Sequence, residues 1–156
     1  MPIGYYEATI YLVGNNNVYE PFVLKVSVTG QKPNWSVNPI EYNYSMSMIG
    51  QLKVDNILSE DENDIIAAFY GEKCVGVASP VYNARYDAYY VLLDIYGNTL
   101  NTELNFKVYD ASTGNIYAKV DVSDDIEFDN DKVIGTMKEP FVWNALDYLE
   151  QKFQLH

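Results

Sequence analysis

A chain of 156 residues has the length of one domain, and folding would bury roughly 70 % of its extended surface, enough for a self-sufficient core. The 22 acidic and 10 basic residues leave a net charge of −12, a field that repels nucleic-acid phosphates and anionic headgroups but suits neutral glycans, cationic partners or divalent cations. One cysteine, Cys74, excludes a disulfide or a Cys-rich zinc site within these residues, and no apolar run approaches the ~20 residues of a membrane helix.

The start Met1-Pro2-Ile3-Gly4-Tyr5-Tyr6 lacks the basic and apolar regions of an export signal. It reads as a piece of a longer exported chain whose own signal lies elsewhere. Short apolar or alternating runs punctuated by Gly, Asn, Asp and Pro every ten or so residues then predict strands. Residues 5–13 and 19–29 form the first pair, joined by Gly14-Asn15-Asn16-Asn17, residue types that tolerate positive φ. Phe22, Leu24, Val26 and Val28 alternate strictly with Val23, Lys25, Ser27 and Thr29, the pattern of a half-buried strand.

Two prolines bracket an aromatic in Pro33-Asn34-Trp35-Ser36-Val37-Asn38-Pro39, which reads as a crossing segment at a subdomain boundary. Residues 42–54 are the next strand, with a bulge expected at Gly50. An acidic turn, Ser59-Glu60-Asp61-Glu62-Asn63-Asp64, precedes a hairpin of residues 65–70 and 74–78 around Gly71-Glu72-Lys73. In that hairpin Cys74 reads as a small core residue.

Two further hairpins are expected, residues 88–96 with 102–110 around Gly97-Asn98, and the strand ending at Asp110 with residues 116–122 around Gly114. Residues 132–136 and 141–143 are the last strand signals. Val142, Leu146, Leu149 and Phe153 have helical spacing, whereas Phe153 and Leu155 suit a strand entering a following domain.

Nucleophilic catalysis needs a base beside Ser or Cys, and the one histidine is the terminal His156. Asp94, Glu103 and Asp110 fall at strand ends, where a carboxylate pair of the glycosidase kind could sit, but among 22 acidic residues some such pairing arises without function. No enzymatic activity is expected. Calcium takes several hard oxygen ligands, and Glu60, Asp61 and Asp64 would be its donors; the alternative is a solvated turn needing no ion. The second acidic stretch does not fit an EF-hand loop, because counting from Asp125 the sixth residue is Asn130 and the twelfth Thr136. Asp125, Glu127, Asp129 and Asp131 alternate, so a strand would place them on one solvated face.

Fifteen of the residues are tyrosine, far above an ordinary share. Tyr and Trp offer flat faces with a polar handle, suited to stacking on sugar rings or anchoring a protein. The densest group is Tyr82, Tyr86, Tyr89 and Tyr90, interleaved with Asn83, Arg85 and Asp87 as donors and acceptors for sugar hydroxyls. Against this, tyrosine is also simply a good strand residue. Asn34-Trp35-Ser36 and Asn43-Tyr44-Ser45 match the glycosylation sequon, a pattern that arises by chance.

The runs from Trp35-Ser-Val-Asn-Pro through Tyr42-Asn-Tyr-Ser-Met, Asp64-Ile-Ile-Ala-Ala-Phe-Tyr-Gly-Glu-Lys-Cys-Val-Gly-Val-Ala, Tyr89-Tyr-Val-Leu-Leu-Asp-Ile-Tyr-Gly and Phe106-Lys-Val-Tyr-Asp-Ala-Ser-Thr-Gly-Asn-Ile-Tyr resemble a poorly characterised β-sandwich module of large secreted or surface-anchored bacterial proteins, of the kind Bacteroidota export among immunoglobulin-like repeats. The resemblance spans roughly residues 35–145 and implies no catalytic residues. Residues 1–30 are similar to the last two strands of a bacterial immunoglobulin-like domain, a neighbour often found in carbohydrate-active or adhesive chains.

The expectation is therefore an all-β, antiparallel β-sandwich of immunoglobulin-like layout, secreted or at the cell surface. Residues 1–30 would be strands of an immunoglobulin-like unit packed on the main domain, 31–145 the sandwich module, and 146–156 a tail or linker. Its role would be a non-catalytic accessory or adhesion module, binding a glycan or a cell-surface protein through Tyr82, Asn83, Arg85, Tyr86, Asp87 and Tyr89. The alternative is a structural spacer among neighbouring domains, with tyrosines spread evenly and half-buried over both sheet faces.

Overall fold

A computed structural model of the chain describes residues 4–10, 22–28 and 31–146, the first two segments as backbone. The described residues are all-β apart from a single 3-10 turn, Pro39–Glu41. Strands β1 (Gly4–Ile10) and β2 (Phe22–Val28) pair antiparallel with each other, from Gly4 opposite Val28 to Ile10 opposite Phe22. The turn expected at 14–17, the outer ends of both strands and the competing readings of residues 147–156 lie outside the described residues.

β3 (Tyr44–Val54), β4 (Ile57–Leu58), β5 (Ile65–Tyr70), β6 (Lys73–Ala78), β7 (Val81–Asn83) and β8 (Ala88–Gly97) follow; β3, β5, β6 and β8 lie close to their expected places, whereas β4 and β7 were not expected. The remainder comprises β9 (Thr102–Glu103), β10 (Asn105–Asp110), β11 (Asn115–Tyr117), β12 (Val120–Val122), β13 (Glu127–Phe128), β14 (Val133–Ile134) and β15 (Phe141–Ala145). A seven-stranded sheet runs β12-β15-β3-β8-β7, with β14 and β4 also on β3; a four-stranded sheet runs β11-β10-β5-β6; β13 and β9 pair separately.

Most pairings are antiparallel, but β14 and β15 run parallel to β3, with Phe141 opposite Gly50 and Ala145 opposite Val54. The expected antiparallel layout holds for every other described pairing, and these two strands are the exception. Parallel neighbours need a crossover rather than a turn, and here the chain visits the four-stranded sheet before returning to β3.

The core follows from strand alternation. Met46, Met48 and Leu52 of β3 and Val91, Leu93 and Ile95 of β8 point inward, and Ile66 of β5 with Phe106 and Val108 of β10 join them in one cluster around the fully buried Trp143. Both large sheets thus contribute to a single core. No register shift marks Gly50, which is the last residue of β3 paired with β8, opposite Val91, and the first paired with β15, opposite Phe141. A Cβ there would lie 2.4 Å from both the Phe141 carbonyl oxygen and the Trp143 ring, so the position is glycine to admit the indole. The bulge lies instead in the β5–β6 hairpin, between Ala68 and Phe69, where Val75 is the unpaired residue and turns into the core.

The hairpin expected at Gly97-Asn98 does not form. β8 runs through Gly97, which faces Tyr44 of β3, and the chain then crosses to the other sheet. At this position a Cβ would meet the Phe128 ring at 2.8 Å, so close packing rather than turn geometry requires the glycine. The β10–β11 hairpin forms as expected, with Gly114 at φ 75°. One tight hairpin went unread: Asp55 and Asn56, at φ 50° and 66°, join β3 to β4 as a two-residue loop with the left-handed backbone of a type I′ turn.

Candidate functional site

The six residues singled out around Tyr86 all lie in the β7–β8 hairpin, at the edge of the seven-stranded sheet. Asn83 shapes its loop, the side-chain oxygen accepting the backbone N–H groups of Arg85 at 3.0 Å and Tyr86 at 3.4 Å. Asp87 closes the loop at φ 48°. Because side chains alternate along a strand, the aromatics fall on opposite faces of this ribbon. Tyr82 and Tyr89, directly paired, pack on one face with rings 5.4 Å apart and tilted by 56°; Tyr86 packs edge-on against Tyr90 on the other at 6.0 Å.

Two of the four hydroxyls already have partners within the protein. The Tyr82 hydroxyl donates to Asp87 at 2.6 Å, a bond to a carboxylate that raises the phenol above its ordinary range. The buried Tyr90 donates to the Met137 carbonyl at 3.1 Å, and the Arg85 guanidinium lies 5.7 Å over the Tyr86 ring. The hairpin therefore gathers the predicted residues without giving them a shared concave face.

A second aromatic group lies where the two large sheets meet at one end, and local sequence density did not reveal it. Tyr42 precedes β3, Tyr70 ends β5, Lys73 begins β6, and Tyr96 ends β8. Together with Asn98, Thr99 and Thr102 they rim a cleft of about 190 Å³ floored by Val75, Leu104 and Phe128. Each floor residue is buried, so the cleft opens directly onto the core. Tyr42 and Tyr96 lie 6.3 Å apart at 33°, and Tyr70 stands 52 % exposed.

This cleft has a built wall. Asn98 accepts the Asn43 backbone N–H at 2.8 Å and donates to the Glu41 carbonyl at 3.1 Å, clamping the segment that carries Tyr42. Below it, Asn38 caps the 3-10 turn through Ile40 N–H at 3.4 Å. Lys73 holds its ammonium 5.1 Å over the Tyr42 ring and 3.9 Å from Glu41. The Tyr42 side chain, and after it the Glu41 charge, keep the exposed lysine above its ordinary range, hence cationic at every physiological pH.

Two of the three candidate calcium donors, Asp64 and Asp61, accept hydrogen bonds within the protein. Asp64 is buried, accepting the Ser59 hydroxyl at 2.6 Å and the Ala111 backbone N–H at 2.8 Å, so it ties the acidic turn to the β10–β11 turn. Burial is the main cause that raises its carboxyl above the ordinary value, with Asp110 and Asp61 adding repulsion. Asp61 accepts the Asn63 N–H at 2.8 Å, and Glu60 faces solvent. No group of three His, Cys, Asp or Glu among the described residues is arranged to hold a metal. In the second acidic stretch Asp125, Glu127 and Asp129 are exposed and Ile126 and Phe128 buried, but the strand is only Glu127–Phe128, and Asn130 and Asp131 are both exposed in the turn that follows.

The three carboxylates considered for hydrolysis stand apart in role. Asp94 accepts the Ser47 hydroxyl at 2.6 Å on an exposed sheet face, and Asp110 is buried by bonds from Ser112 and Thr113. Glu103 lines a groove of about 340 Å³ with Asp121, Asp125 and Lys119. In the comparisons with known proteins, no family model matches the chain, and neither a curated protein nor a solved structure does.

The cleft could have been suspected from one signal. Tyr42, Tyr70 and Tyr96 each sit at a strand end beside Gly, Asn or a charged residue, where an alternating pattern stops and a ring is left at a rim. They stand 28 and 26 residues apart along the chain, a spacing that gives no hint that they meet.

Proposed function

We propose that this protein is a non-catalytic accessory or adhesion module that binds carbohydrate through exposed tyrosines, as part of a secreted or cell-surface chain with neighbouring domains. In this reading the two large sheets form a β-sandwich of immunoglobulin-like layout, in keeping with the resemblance to bacterial surface modules. One observation supports it above others: Tyr42, Tyr70 and Tyr96, from three separate elements, line one cleft. A spacer would scatter them. Ring stacking with a few hydrogen bonds yields weak affinity per site, so the parent chain would act through multivalency.

The test is a glycan array probed with folded protein, with calcium and then with chelator. Binding to a defined glycan class supports the module; a clean negative overturns the carbohydrate reading and leaves a protein partner or a spacer. A melting temperature unmoved by chelator removes calcium from the proposal. The spacer reading has one observation in its favour, the internal hydrogen bonds of Tyr82 and Tyr90, which make the hairpin aromatics serve the fold.

A further inference from the structure

The cleft and the hairpin differ in what they leave for a ligand. Hairpin rings pack against one another in two pairs on opposite faces. Tyr42, Tyr70 and Tyr96 instead surround a space. At about 190 Å³ it is smaller than the roughly 300–1,000 Å³ of clefts that take drug-sized molecules, so it suits one small ring or the terminal unit of a longer chain. Its floor is apolar and its rim carries hydroxyl, amide and ammonium groups. That division matches a pyranose, whose C–H face is apolar and whose edge is ringed by hydroxyls.

Charge narrows the class. The one ammonium at the rim, Lys73, is already 3.9 Å from Glu41, and the chain carries −12 overall, so an anionic sugar meets no net positive field. A cationic ligand would gain from the overall charge, but the Tyr42 face that would attract it is already held by Lys73. We propose that this cleft seats a single ring of a neutral sugar, stacked on Tyr70 or Tyr96 and hydrogen-bonded at its edge by Lys73 and Thr102. The proposal rests on the carbohydrate reading above and adds to it the seat and the ligand class.

The decisive experiment is a titration of the whole chain with neutral methyl hexosides and N-acetylglucosamine at millimolar concentration, followed by NMR, with glucuronate and choline as charged probes. Saturable shifts at Tyr42, Tyr70 and Tyr96 with a neutral probe are expected. Tyr70→Ala, at an exposed position that tolerates substitution, should weaken binding about tenfold, and Tyr82→Ala should leave it unchanged. Shifts confined to Tyr82, Tyr86 and Tyr89 would overturn the cleft while keeping the carbohydrate reading. Preferential binding of glucuronate or choline in the cleft would overturn the neutral class. No shift at the cleft with any probe would overturn the seat, whereas the glycan array decides separately whether the protein binds carbohydrate at all.

Discussion

The β7–β8 hairpin and the cleft beside Gly97 are built from the same residue type and do opposite things with it. In the hairpin, tyrosines adjacent in sequence are split by strand alternation, and two have partners within the protein, Tyr82 in Asp87 and Tyr90 in Met137. In the cleft, three tyrosines from distant elements rim one space, Tyr42 and Tyr96 with their rings 6.3 Å apart and Tyr70 52 % exposed, with Asn98 fixing the segment of one of them. Crowding of aromatics along the chain is therefore a poor guide to a binding surface. What makes a site is rings that leave room, and that depends on which strand ends the fold brings together.

The sharpest way to break the comparison is to remove the cleft's floor. Phe128 is 1 % exposed, and Phe128→Ala should cost about 3–5 kcal/mol in urea unfolding, because the cavity lies in the shared core. A loss under 1 kcal/mol would mean that the cleft is a surface dent uncoupled from the core. Gly97→Ala tests the same floor from the other side. Its methyl would press on the Phe128 ring, with an expected loss of about 1–3 kcal/mol, where a true turn glycine would tolerate alanine or fail for backbone reasons alone.

A reference point for fully committed polar groups is Asp64, neither open nor exposed. Asp64→Ala strands the Ser59 hydroxyl and the Ala111 N–H and should cost about 1–3 kcal/mol. Asp64→Asn keeps an acceptor for Ala111 and isolates the charge. Because burial raises the folded carboxyl above 3.8, the folded state holds this proton more tightly than the unfolded chain. The stability it contributes is complete below pH 3.8 and is lost as pH rises through the raised folded value. Relative to wild type, the asparagine variant should therefore gain stability between pH 3 and 7, as read from urea midpoints; a parallel pair of pH profiles would exclude the buried charge as the cause.

Smaller effects separate the two tyrosine groups directly. Asn98→Ala removes two exposed hydrogen bonds and should cost about 0.5–1.5 kcal/mol, with the Tyr42 resonances broadening or shifting while those of Tyr82 and Tyr86 stay in place. Smallest in stability is Asp87→Asn, which takes the carboxylate from the Tyr82 phenol. The phenol's titration, followed by NMR, should move down toward the ordinary tyrosine range, and an unchanged titration would show that the hairpin bond does not persist in solution.

The all-β class and most strand positions were legible in the sequence, since alternation and turn residues act over a few neighbours and reveal which residues can share a face. Met46, Met48, Val91, Leu93 and Ile95 could be assigned to a buried face on that basis, and the exposed Asp125, Glu127 and Asp129 likewise. The β7–β8 hairpin itself went unread, although Asn83 and Asp87 carry the local turn chemistry that could have marked it. Glycine was misread twice for one reason: at Gly50 and Gly97 the constraint is a ring from a remote strand, Trp143 or Phe128, and a lone glycine letter cannot distinguish that from a bulge or a turn.

By itself the sequence determined a β-rich, strongly acidic chain with unusual aromatic content. Only the tertiary structure decided that β14 and β15 run parallel to β3, that Val75 is re-aimed by a bulge, and that Tyr42, Tyr70 and Tyr96 meet. Those outcomes depend on contacts between residues far apart in the chain, whose closure is settled by how the whole core packs around Trp143 and which local patterning leaves open.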